Sequence, residues 1–143
     1  MSERCYFWAH NGPEMLPTAY NDSHQIFQTP DYVVLFTEMN NGLPRIIPLD
    51  GRPFISDKIR QIPGDSRGHW EGDTLVVETT NFTDKTRFQR SSDALHVVER
   101  FTRVDADTIL YEFTIEDPRT YTQPWGGEIP FKKFDDMLYE YSC

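Results

Sequence analysis

The stretch LHVVERFTRVDADTILYEFTI, residues 95–115, decides the fold. Successive side chains of a strand point to opposite faces. Residues 95–104 therefore place Leu95, Val97, Glu99 and Phe101 on one side and His96, Val98, Arg100 and Thr102 on the other. Asp105-Ala106-Asp107 is a turn sequence, because short carboxylates bond the backbone just ahead of them. In the returning residues 108–115, Ile109, Tyr111, Phe113 and Ile115 form the more apolar face, and Leu110, Glu112 and Thr114 the more polar one. Two β-rich runs of period two around a three-residue turn predict an antiparallel hairpin with one face on a core.

The same grammar extends outward in both directions. RGHWEGDTLVVETT, residues 67–80, reads as a strand, a tight Gly72-Asp73 turn and a longer strand, with Trp70 near the turn. Residues 25–29 and 32–38 form two strands around Pro30-Asp31, and Asn40-Asn41-Gly42 turns the chain into a partner at residues 45–49. Pro48 lacks a donor and marks that partner as an edge strand or a bulge. Asp50-Gly51-Arg52-Pro53 reads as a turn, and residues 54–65 are the least patterned and leave room for a helical turn. Residues 81–93 form a polar connection. The Pro124-Trp125-Gly126-Gly127 segment reads as a loop, residues 128–134 as a weak strand and residues 138–141 as a last one.

About eight consecutive strands on short turns favour a meander, and a meander of that size can close on itself and remove its edges. The expectation is an all-β domain: a single antiparallel β-barrel, lipocalin-like, over residues 24–143, preceded by an N-terminal arm at residues 1–23. A two-sheet sandwich satisfies the same pattern and is the alternative.

Composition narrows the function classes. The chain's 143 residues suffice for one domain, and its 14% aromatic content supplies one compact core. A formal net charge of −9 repels a phosphate backbone, so no nucleic acid is expected as a partner. The pair Lys132-Lys133 reads as strand surface. No apolar run reaches membrane-spanning length, so no membrane span is expected. Residues 1–5, MSERC, lack the basic start and apolar stretch of a secretory signal. The expectation is cytoplasmic placement for a full-length chain, and periplasmic or secreted placement if a signal peptide was removed. Cys5 and Cys143 are the two cysteines; a disulfide between the termini and a pair of free thiols both remain open.

Candidate chemistry centres on Glu99, the ionisable residue on an otherwise apolar face. Buried there, it has a raised pKa and must be protonated or paired, as a general acid or base in a cavity or as a structural tie to Arg67 or Arg103. Asp65 sits beside Ser66 and Arg67 and is the second candidate acid or base. His24 and His69 flank strands and are candidate proton shuttles. Ser66, His69 and Asp65 can be written as a triad, but no nucleophile elbow surrounds the serine. Trp70, Tyr111, Phe101 and Trp125, with Arg67, are candidates to line a substrate pocket. None of the four histidines, His10, His24, His69 and His96, has metal-ligand spacing, and there is no phosphate-binding glycine run, so neither a metal nor a cofactor is expected.

RIIPLDGR at residues 45–52, GDSRGHWEGDTLVVETTNF at 64–82, LHVVER at 95–100, IFQTP at 26–30 and the ending EYSC at 140–143 together resemble an uncharacterised bacterial family of small, often exported β-rich proteins. Relatives of this kind are often longer and carry export signals, from which this N-terminus departs. Their cysteines match Cys5 and Cys143, and the resemblance implies a stapling disulfide in exported members. It carries over no catalytic residue.

Three functions fit these observations. The first is a cofactor-independent acid/base enzyme, an isomerase, cyclase or hydro-lyase, acting on a small apolar or aromatic metabolite in a barrel cavity. The second is non-catalytic binding of a small hydrophobic ligand. The third is a structural or interaction domain, with a homodimer possible.

Overall fold

The computed structural model describes residues 23–38, 44–86 and 88–139, together with Leu16. Eight strands follow one another: β1 (His24–Gln28), β2 (Tyr32–Thr37), β3 (Arg45–Pro48), β4 (Asp65–Glu71), β5 (Thr74–Thr80), β6 (His96–Arg103), β7 (Thr108–Glu116) and β8 (Trp125–Lys132). One turn of 3-10 helix, Phe88–Arg90, interrupts the connection before β6.

The hairpins predicted from residues 67–80 and 95–115 form as read. Glu71 faces Thr74 across a two-residue turn, and Gly72 supplies the positive φ of 60° that its first position requires. In the β6–β7 turn the Asp105 carboxylate accepts the Asp107 N–H at 2.8 Å, and the Val104 N–H reaches the Thr108 carbonyl at 3.1 Å. Pro48 ends an edge strand, as its missing donor demands. The predicted Asn40-Asn41-Gly42 turn, both cysteines, and the arm apart from Leu16 and Ser23 lie outside the described residues. Leu16 packs against the core.

The single lipocalin-like barrel expected from the strand count does not form. The strands make two antiparallel sheets, β1-β2-β3 and β4-β5-β6-β7-β8, and neither closes. The two-sheet sandwich, weighed as the alternative, is the architecture. The reason lies in the connection from β3 to β4, whose backbone bonds elsewhere. The Gln61 N–H donates to the Asn81 carbonyl at 2.9 Å, and the Thr83 N–H donates to the Gln61 carbonyl at 3.0 Å. This connection therefore anchors to the far end of β5, and the ladder that a barrel needs is broken between β3 and β4.

Two smaller readings are also corrected. Residues 125–127 are not loop but the start of β8, and residues 138–139 form no strand. Gly126 lies so close to the Phe113 carbonyl that an added Cβ would sit 2.0 Å from its oxygen. There glycine permits close strand pairing rather than ending it.

The core lies between the sheets. Val33, Leu35 and Ile47 from the small sheet meet Leu75, Val77, Val97, Phe101, Tyr111, Phe113 and Ile115 from the large one. The inward faces are those read from period two in residues 95–115. Tyr111 stacks on Phe131 at 5.0 Å and on Phe113 at 5.9 Å, ring contacts worth about 0.5–1.5 kcal/mol each beyond their burial. Asp117 closes the end of β7. Its buried carboxylate accepts the Ser92 N–H at 2.5 Å, the Ser92 hydroxyl at 2.9 Å, the Thr120 hydroxyl at 3.0 Å and the Arg119 N–H at 3.1 Å. Burial alone would raise this carboxyl, but the four donors outweigh it and hold the pKa below the ordinary value.

Gly68 lies directly under the β3 side chains: a Cβ there would sit 2.8 Å from both Ile47 Cγ2 and Leu49 Cδ2. Gly68→Ala is expected to destabilise by about 1–3 kcal/mol in urea unfolding, although alanine is otherwise the better strand residue; unchanged stability would mean that the packing yields freely. For Asp117→Asn the expected loss at neutral pH is also about 1–3 kcal/mol. A depressed folded pKa stabilises above the unfolded value of 3.8 and ceases to as pH falls through the folded value. The gap between wild type and Asp117→Asn should therefore narrow in acid, and a gap constant with pH would refute the assignment.

Candidate functional site

Glu99 is on β6, faces the core and is fully buried. Its partner is neither Arg67 nor Arg103 but Arg45 of β3, reaching across from the other sheet. Arg45 Nη1 donates to Glu99 Oε1 at 3.0 Å, and Nη2 donates to Oε2 in a shorter contact. The Tyr111 hydroxyl donates to Oε1 at 2.9 Å. Arg45 also bonds Thr79 Oγ1 through Nη2 at 2.9 Å and Ser66 Oγ through Nε at 3.0 Å, and those hydroxyls are 2.9 Å apart. Five consecutive strands, β3 to β7, thus each place one polar side chain in a common buried network. Burial pushes the Glu99 carboxyl up, while Arg45 and Tyr111 favour its charged form. This geometry makes Glu99 a structural tie.

The remaining sequence candidates do not gather around it. Asp65 binds Arg67 Nη1 at 2.6 Å and accepts the Ile55 N–H at 2.9 Å. Arg67 also donates to the Pro53 carbonyl at 3.0 and 3.1 Å and lies over the Phe54 ring. Both residues thereby anchor the β3–β4 connection. His69 is exposed on the outer face, 3.3 Å from Glu71 Oε1. Ser66 points inward to Arg45, so the Ser66-His69-Asp65 arrangement is not assembled. Trp70 is half-exposed at the end of β4. Phe101 and Tyr111 are core, and Trp125 packs among Phe88, Phe113 and Tyr121. Among the described residues no group of three or more His, Cys, Asp or Glu side chains is arranged to hold a metal.

Of the candidate acids and bases, His24 borders a cleft. A half-open cleft of about 650 Å³ lies where β1, the edge of the small sheet, meets β8, the edge of the large one. Ile26, Ile109, Ile129, Phe131 and Phe134 give it an apolar lining. The His24 ring stacks on Phe131 at 5.3 Å, and its Nδ1 is 3.0 Å from the Thr37 hydroxyl. Arg103, Lys132, Lys133 and Asp107 complete the wall at the β6–β7 turn. Glu99 is not among the lining residues. Sequence reasoning missed this place. Ile129 and Phe131 carry a period-two signal, but nothing local pairs them with residues a hundred positions earlier.

Scanned against family models, characterised proteins and solved structures, the chain matches none.

Removing one partner of a buried ion pair leaves an uncompensated charge, and typically costs about 3–5 kcal/mol. Glu99→Gln and Arg45→Met should each lose about that much in urea unfolding, and the double variant clearly less than their sum. Additive losses would show that the two residues act independently.

Proposed function

We propose that this domain binds a small apolar or aromatic molecule in the β1–β8 cleft and does not transform it. One observation carries the reading: the cleft has the volume and apolar lining of a ligand site, while the buried carboxyl fit for acid/base work, Glu99, lies outside it and is engaged by Arg45 and Tyr111. Acid/base catalysis needs its proton-transfer group within hydrogen-bond reach of the substrate, and His24, the candidate that lines the cleft, has its ring stacked on Phe131 and its Nδ1 engaged with the Thr37 hydroxyl. Binding needs only the cleft.

A separate observation favours interaction as the second reading. Phe27, Val34 and Ile46 stand in register across the outer face of the small sheet, and Phe27 and Ile46 are 48% and 57% exposed. An apolar row on a solvent-facing sheet suits a partner, a second copy included.

Titration with the neutral dye N-phenylnaphthylamine separates the two. Saturable one-to-one binding is expected, abolished by Ile129→Trp, which fills the cleft, and unaffected by Ile46→Lys on the opposite face. Dye binding lost in Ile46→Lys and retained in Ile129→Trp would assign the apolar surface to the outer row instead.

A further inference from the structure

We propose that the ligand of the β1–β8 cleft is an amphiphilic anion, with its apolar body among Ile109, Ile129 and Phe131 and its charged head at the β6–β7 turn; this rests on the cleft being a binding site. The chain's formal net charge is −9, yet three cationic side chains, Arg103, Lys132 and Lys133, line this cleft against one carboxylate, Asp107. All three cations come from the same end, the close of β6 and the close of β8, so the apolar lining has a positive rim on one side only.

The local bonding prepares these groups for an anion. Arg103 donates Nε to the Asp105 carbonyl at 3.1 Å and Nη2 to the Ala106 carbonyl at 2.8 Å, which fixes the guanidinium on the turn. The Lys132 ammonium donates to Thr108 Oγ1 at 2.5 Å and is held against β7. Lys133 lies 3.6 Å from Asp135, and both side chains are largely exposed. An exposed pair of that length contributes little, so a ligand head can replace the Asp135 carboxylate without appreciable cost. The Asp105 carboxylate, the other acid of the turn, is engaged by the Asp107 N–H and the Thr108 hydroxyl and offsets part of the Lys132 charge, so Arg103 and Lys133 carry most of the attraction for an anion. A fixed guanidinium and two ammonium groups beside an apolar floor suit a carboxylate or similar head on a hydrocarbon body, by charge-assisted hydrogen bonding.

Displacement of N-phenylnaphthylamine by decanoate, decanol and decylamine tests this at low and high salt. Decanoate is expected to displace the dye at lower concentration than decylamine, with the advantage shrinking in high salt. Lys133→Glu, at an exposed position that folding tolerates, should weaken decanoate by about fivefold, the scale of one rim ion pair, and leave decanol unchanged. Arg103→Gln should act in the same direction. Equal displacement by decanoate and decylamine, or equal loss of decanoate and decanol in Lys133→Glu, overturns the anionic head while leaving the cleft intact. If the neutral dye itself does not bind, the cleft reading fails first and this inference with it.

Discussion

The contact between Arg45 and Glu99 is the constraint on which the arrangement of the two sheets depends. Among the described residues no ladder runs from one sheet to the other, so side chains and the β3–β4 connection join them. Apolar burial supplies most of the attraction, but it is non-directional and tolerates sliding. A planar guanidinium that must meet a carboxylate and two hydroxyls at once tolerates very little. Arg45 reaches from β3 to groups on β4, β5 and β6, and Tyr111 on β7 completes the carboxylate's set. Taking these charges out of water is costly, and a well-packed apolar replacement can equal a buried pair in stability. We therefore read the network as fixing the register of the small sheet over the large one. Gly68 acts beside it, letting Ile47 and Leu49 settle onto β4 without obstruction.

The failure to close has a functional consequence. A barrel would have paired its edges, whereas this sandwich leaves β1 and β8 as edges of different sheets. The cleft lies where those edges come together. Its floor continues the core through Ile109, Ile129 and Phe131, and its rim is drawn from the β6–β7 turn and the end of β8. Opening and apolar depth thus both follow from β1 and β8 lying side by side as edges that do not pair, above residues that continue the core. The same two features are what a binding site for a small molecule needs: surface to bury the body of the ligand and an entrance for it.

Glu99 illustrates how one local pattern can carry two meanings. A carboxyl on an apolar strand face must be buried, and it is. Whether that carboxyl faces a cavity or a partner depends on what lies above it. Arg45 is the residue above it, and its inward orientation follows from sharing a face with Ile47, two positions on. The alternation in residues 45–48 was present in the sequence, but Ile46 and Ile47 are equally apolar neighbours and period two alone does not say which of them points inward. Asp65 and Arg67 were recognised as a polar gathering, yet their partners, Pro53 and Ile55, lie in the stretch with the least pattern.

By itself the sequence determined the strands β1 to β7 to within a few residues, the Gly72-Asp73 and Asp105–Asp107 turns, the antiparallel pairing within the hairpins and the inward face of β6 and β7. These are local properties: period two, a glycine able to adopt positive φ, carboxylates that cap turns. Only the tertiary structure decided that the strands part into two sheets, that Glu99 meets Arg45 and that a cleft opens between β1 and β8. Each of those rests on contacts between residues tens of positions apart, where the β3–β4 connection has to bond to the end of β5 before the second sheet can begin. Local alternation sets which way a side chain faces, and the long-range path of the chain sets what it finds there.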